Sequence, residues 1–181
     1  MRSGACNGTP PDRRGVVVTA VERAWALLEQ VPDPEIPVVS IRELGILREI
    51  HQRDGAIEVV ITPTYSGCPA MGQIEDDVRS AMAAAGLRVD VVTRLAPAWT
   101  TDWMTDAAKE KLRAYGIAPP HSTQSSGQVV RFQQARRVVA IACPHCGSGN
   151  TTETSHFSST ACKALYKCLE CLEPFDYFKP Y

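Results

Sequence analysis

No stretch of this sequence approaches the roughly 20 consecutive apolar residues that a bilayer-spanning helix requires, and its first residues lack the charged-then-apolar layout of a secretory signal. A cytoplasmic protein is the expectation. Neither sign of charge is in excess, since 19 Lys and Arg stand against 20 Asp and Glu for a formal net charge of −1. No overall field therefore draws the molecule toward nucleic acid or an anionic membrane. A Gly-rich cofactor loop and a Ser/His/Asp constellation are also missing, which leaves nucleotide-dependent chemistry and acyl transfer without sequence support. Aromatic residues make up only 7% of the chain and tryptophan occurs three times. Trp99 and Trp103, flanking Thr100, Thr101 and Asp102, are therefore conspicuous, either as core packing between a sheet and a helix or as a partner-facing hot spot.

What is present suffices for an ordinary domain and a small one: 181 residues, 44% of them hydrophobic. Residues 1–15 carry Gly, Pro, Asn and Arg without hydrophobic periodicity and read as a mobile leader. From Thr19, where Glu22 completes a capping-box spacing, Val21, Ala24, Trp25 and Leu28 recur at helical intervals and predict a helix ending near Val31. Three prolines make residues 32–37 a stiff, exposed loop. Residues 38–50 read as extended, Ile57, Val59 and Ile61 as a second strand, and Asp54-Gly55 as the hairpin turn between them.

Further along, Ile74, Val78, Ala81, Met82 and Ala85 mark one face of a helix stopped by Gly86, with Pro69 at its first position and Cys68 at its N-cap. Leu87, Val89 and Val91 predict a third strand, and Ala108, Leu112 and Tyr115 the buried face of a helix over about 106–115. The class is α+β: a small sheet-and-helix domain over 16–117, a Pro-, Ser-, Gln- and Gly-rich linker over 118–136, and a second domain over 137–181.

Seven cysteines would suggest disulfides in a small secreted chain, but the count is odd and four of them form two C-x-x-C pairs. Cys143, Cys146, Cys168 and Cys171 predict a zinc ribbon, with four thiolates closing the coordination sphere of a structural ion. An iron–sulfur cluster on the same four sulfurs is the rival. Cys162, His145 and His156 lie near enough in sequence for ligand exchange. Phe175, Tyr177 and Phe178 fit a closing strand better than a base-stacking platform. In the first domain Cys68 is the residue of chemical interest, because a helix N-terminus favours a thiolate that reacts or binds metal. The alternative is a small buried hydrophobe. Asp33 and Glu35 could supply oxygen ligands if the fold brings their loop to Cys68.

The stretch Asp33-Pro34-Glu35-Ile36-Pro37, then Leu44-Gly45-Ile46, then Thr62-Pro63-Thr64-Tyr65-Ser66-Gly67-Cys68-Pro69 resembles the small domain shared by SufT-like and eukaryotic cytosolic iron–sulfur assembly factors. Beyond it, residues 97–104, 159–166 and 173–178 resemble the PaaD (PaaJ) family of bacterial phenylacetate degradation. That resemblance implies an accessory protein of the phenylacetyl-CoA epoxidase, a multicomponent monooxygenase, and not an enzyme in its own right. It implies Cys68 as the functional thiol, Asp33 and Glu35 as supporting acids, and a transient iron or iron–sulfur cluster as cargo beside structural zinc. The implied partners are the oxygenase and reductase components, either as maturation clients or as fellow members of the complex; a homo-oligomer is left open. A nucleic-acid-binding ribbon is disfavoured by Glu170, Glu173 and Asp176, which Lys163, Lys167 and Lys179 do not offset.

Overall fold

A computed structural model describes residues 18–121 and 140–181; the leader and most of the linker expected at 118–136 lie outside the described residues. Helix α1, Ala20–Leu28, opens on the expected capping box, in which the Glu22 N–H donates to the Thr19 hydroxyl at 3.1 Å and the Thr19 N–H to the Glu22 carboxylate at 2.7 Å. It ends three residues short of Val31 and buries Ala24 and Leu28. The proline loop that follows corrects the expectation of an exposed segment. Asp33 Oδ1 accepts from the Glu35 and Ile36 N–H groups at 2.9 and 2.8 Å, folding the loop over its own side chain and sinking Ile36 into the core.

Residues 38–46, expected to be extended, form turns instead. Ser40 and Glu43 exchange hydrogen bonds in a capping-box pattern, and Gly45 at φ +74 turns the chain into strand β1, Leu47–Arg53. β1 pairs antiparallel with β2, Ala56–Ile61, through Asp54 and Gly55, both at positive φ as a type I′ turn demands. Helix α2, Met71–Ala84, buries Ile74, Val78 and Met82 and carries the chain across to β3, Val89–Thr93, which lies parallel to β2. The sheet order is β1-β2-β3, and α1 packs against α2, β1 and β2.

A 3₁₀ turn at Thr101–Trp103 precedes helix α3, Asp106–Ala114, which buries Ala108 and Leu112. Tyr115, expected on that buried face, is 53% exposed, because the helix ends one residue before it and Gly116 at φ +92 redirects the chain. The next two residues, Ile117–Ala118 (β4), join the ribbon's sheet and not the first domain's. That sheet also contains β5, Thr151–Ser155, β6, Lys163–Cys168, and β7, Pro174–Phe178, in the order β4-β7-β6-β5.

Two hydrophobic clusters result, and the ribbon contributes to both. Phe175 and Tyr177 fill the ribbon core with Ala118, Ile141 and Ala164, while Phe178 points the other way into the first domain's core beside Cys162. The period-two alternation of a strand thus places one aromatic of β7 in the neighbouring domain. Trp99 receives it: its ring lies 5.9 Å from Phe178 and 6.3 Å from Tyr181, and its indole N–H donates to the Leu44 carbonyl at 3.0 Å. Trp99 is therefore a core residue, but between domain and ribbon instead of between sheet and α3. Trp103 carries the Arg48 guanidinium 3.4 Å above its ring. No helix among the described residues is long and apolar enough to cross a membrane.

Gly45 tests how closely the turn at 38–46 meets the 3₁₀ turn. A Cβ there would lie 2.6 Å from the Trp103 Cβ and 2.7 Å from its carbonyl oxygen, whereas one on Gly86, also at positive φ, meets nothing within 4 Å. Gly86→Ala is expected to cost about 1 kcal/mol of backbone strain, and Gly45→Ala about 3 kcal/mol or more, in urea unfolding. Equal costs would mean that the close approach is absent.

Candidate metal centres

The four cysteines predicted to share one ion converge, with the sulfurs of Cys143, Cys146, Cys168 and Cys171 all within 4.8 Å of one another. Cys143 and Cys171 are 3.7 Å apart and Cys146 and Cys168 3.6 Å. Tetrahedral coordination with zinc–sulfur bonds of about 2.3 Å puts ligand sulfurs about 3.8 Å apart, so the donor set fits zinc in number, softness and spacing. Each C-x-x-C pair is followed by a residue of positive φ, Gly147 at +77° and Leu172 at +66°. In the first knuckle the Gly147 N–H returns to the Cys143 carbonyl at 2.8 Å, and the Cys143 N–H reaches the Ser148 carbonyl at 2.9 Å. The Cys171 backbone N–H, opposed by burial and aided by the Glu170 N–H, draws the Cys168 thiol down. Fixed backbone dipoles thus prepare a thiolate at this corner. Cys171, despite the Glu173 N–H, is pushed up to about 12 by burial and the facing sulfurs, so the four thiols do not ionise independently.

The alternative ligands do not join this group. His145 packs over Gly116, with its Cε1 3.2 Å from where a Cβ would stand, and His156 pairs with Glu153 at 3.2 Å on the surface. Cys162, near enough in sequence to exchange with the ribbon ligands, instead sits in the first domain's core, 5% exposed and outside the four-sulfur group. The backbone explains its position: Cys162 immediately precedes β6, and its carbonyl accepts from the Lys179 N–H at 2.9 Å just past β7. The knuckle sulfur Cys168 lies at the other end of the same strand.

At this domain junction the structure brings together residues that are far apart in sequence. Asp33 is 6% exposed, and Glu35 and Cys68 are half-buried. The Glu35 and Asp33 charges both act on the Cys68 thiol. Cys68 itself departs from the expectation: α2 begins at Met71 with Ala70 as its N-cap, so Cys68 lies in the turn before the helix. Its sulfur accepts from the Ala70 N–H and from the Tyr65 hydroxyl. Burial outweighs these donors and, with Glu35 and Asp33 nearby, pushes the thiol above its ordinary value. A free thiolate at a helix terminus is thus replaced by a protonated thiol among carboxylates.

The neighbours behave alike. Burial raises the Asp33 carboxyl against the pull of the Ile36 and Glu35 N–H groups, and burial followed by Asp33 raises Glu35. Burial also raises Cys162, whose sulfur meets the Thr160 hydroxyl at 3.0 Å and feels Glu35 and Cys68. Burial and then the two thiols push Tyr65 up to about 12. Against these latent anions stands the buried Lys163, which reaches Asp176 at 3.5 Å and whose charge is felt by Asp33 and Glu35. Two thiols and two carboxyls that resist ionising together form a place where an added cation would be stabilised. Sequence reasoning singled out Cys68, Asp33 and Glu35, considered Cys162 only beside the ribbon ligands, and gave Lys163 and Tyr65 no part at this junction. The only signal for Cys162 was that it stands outside both knuckles.

The two units match two family models: residues 21–94 match "Iron-sulfur cluster assembly protein" and residues 127–179 match "PaaD zinc beta ribbon domain". The molecule is thus an iron–sulfur-assembly-type domain with a zinc ribbon docked on it. An Escherichia coli (strain K12) protein named as a subunit of a 1,2-phenylacetyl-CoA epoxidase is 50% identical over 162 residues, 88% of this chain and 92% of that protein. The chain belongs to the PaaD family. The first domain alone is similar to the Bacillus subtilis (strain 168) Fe-S protein maturation auxiliary factor YitW, 35% identical over 49% of this chain and 88% of the relative. A Bacillus anthracis domain of unknown function, DUF59, has a solved structure at 29% identity and TM-score 0.47, covering 51% of this chain and 90% of that one.

Removing the ribbon's metal has a readout in the other domain, because Phe178 and Tyr181 cover Trp99. A strong chelator is expected to release four additional reactive thiols and to shift tryptophan emission to the red as the ribbon unfolds. Cys143→Ser should give the same emission without chelator. Unchanged thiol titration after chelation would contradict a metal at the four cysteines.

Proposed function

We propose that this protein is a maturation factor for a metal centre of the phenylacetyl-CoA epoxidase system and does not itself turn over substrate. In this reading the first domain takes up iron, or the iron of a nascent iron–sulfur cluster, at Cys68 with Asp33 and Glu35. The ribbon, held by zinc on Cys143, Cys146, Cys168 and Cys171, engages the oxygenase or reductase that receives it. The observation that carries the proposal is the half-buried Cys68 thiol facing two carboxyls in a domain that matches an iron–sulfur assembly family. Such a group favours a cation over a free thiolate, as transient iron uptake requires. The YitW resemblance supports the same role through the maturation function in that relative's name.

A second reading is favoured by the name of the Escherichia coli relative, which places that protein among the epoxidase's own components. In it the chain is a stoichiometric, non-catalytic part of the epoxidase complex. Purified oxygenase and reductase with full metal content decide between the two. Activity in the absence of this chain supports maturation, and activity that appears only on its addition supports the stoichiometric role. Within the first reading, Cys68→Ala in cells is expected to lower the iron content and activity of the purified epoxidase components at least tenfold, with ribbon zinc unchanged. Normal iron content in those components would refute the role of the thiol.

A further inference from the structure

The proposed iron site, as drawn from the first domain, offers one soft ligand and two hard ones. Iron handled together with sulfide is held in proteins chiefly by thiolates, and a single sulfur is a thin grip. The ribbon supplies what the first domain lacks. Cys162 is packed in the same hydrophobic cluster that Cys68 lines, and it is the one ribbon thiol outside the four-sulfur group. It carries its own donor in the Thr160 hydroxyl, as Cys68 does in the Tyr65 hydroxyl and the Ala70 N–H. Both sulfurs are thus equipped to be held as thiolates once a cation displaces their protons. Buried Lys163, next in the chain, offsets part of the negative charge that would then accumulate.

We propose that Cys162 is the second sulfur ligand of this site, so that Cys68 from the first domain and Cys162 from the ribbon together bind a thiophilic divalent cation, with Glu35 as the oxygen ligand between them. This rests on the maturation reading above for Cys68 and adds a residue and a domain to it. Glu35 and Cys68 both act on the Cys162 thiol, and both cysteines meet the same core cluster. Among the described residues only the ribbon's four cysteines already gather as a metal-holding group, so binding at the junction requires Cys68, Cys162 and Glu35 to close in on the ion.

Cobalt(II) is the probe, added anaerobically to the reduced, zinc-loaded full chain. It does not displace zinc from four thiolates, since zinc stands above cobalt in affinity order, and its thiolate charge-transfer absorption counts bound sulfurs. The wild-type chain is expected to take up one further equivalent with two-thiolate intensity. Cys162→Ser should lose about half of that intensity and bind at least tenfold more weakly, and Cys68→Ser should do likewise. Zinc retention and Trp99 emission establish that each variant is folded. Alkylation of wild-type chain with and without cobalt, read by mass spectrometry, should show Cys68 and Cys162 protected together, and needs no variant. Wild-type intensity in Cys162→Ser, or protection of Cys68 alone, overturns the pairing and leaves the Cys68 reading intact. Cobalt uptake that Cys68→Ser does not alter overturns both.

Discussion

Four cysteine sulfurs gathered within 4.8 Å of one another, a set that fits one zinc ion, are the constraint from which the ribbon's other positions follow. The knuckles at 143–146 and 168–171 have few apolar residues of their own, and Leu169 and Leu172 between and after the second pair are exposed. A small sheet with so little core depends on its metal for folding free energy. Once Cys168 is fixed, β6 runs back from it with defined register against β7, and that register sets where Cys162 and Phe178 emerge at the far end. A metal held there would thereby act at a distance, through one strand's length of backbone hydrogen bonds, on the contacts made with the first domain.

Those contacts make the two units a single body. β4 leaves α3 and enters the ribbon's sheet within a few residues, Phe178 and Tyr181 close over Trp99, and the Thr101 N–H donates to the Tyr181 carbonyl at 3.2 Å. His145 from the first knuckle rests on Gly116 at the end of α3. Interdomain contacts of mixed polar character ordinarily permit relative motion. Here an aromatic from one sheet is fully buried in the core of the other unit, which resists such motion because separation would expose it to water.

Local signals in the sequence carried well. The capping box at Thr19, the I′ turn at Asp54-Gly55, the apolar stripe of α2 and the C-x-x-C pairs each depend on residues within a turn or two of one another, and each appears in the fold as its chemistry requires. The failures share a cause as well. Residues 38–46 contain a Ser40-x-x-Glu43 capping pattern that outweighs their β-branched content, and reading the apolar residues alone hid it. Asp33 looks solvated beside prolines, yet its two backbone hydrogen bonds let it be buried. Cys162 shares its neighbourhood in sequence with the knuckles and its neighbourhood in space with Cys68, and no local pattern encodes that a strand will run away from the metal. Half of the candidate site was therefore legible, the half lying on one domain.

The two sulfur clusters use one element for opposite ends. An ion held by the ribbon's four thiolates would have no coordination position free, so exchange would require breaking a bond already made, and such a site serves stability. At the domain junction Cys68, Cys162, Asp33 and Glu35 lie with the buried Lys163 and form no closed shell, and burial penalises ionisation of the two thiols and two carboxyls. In the proposed role, a cation there would offset the cost of ionising these buried groups and its departure would restore that cost, so affinity would be bounded by the burial that creates it. Such a balance would suit the cargo that the proposed maturation role requires the protein to give up. The four-cysteine cluster anchors one end of the strand, and the other end carries Cys162 into the core that Cys68 lines.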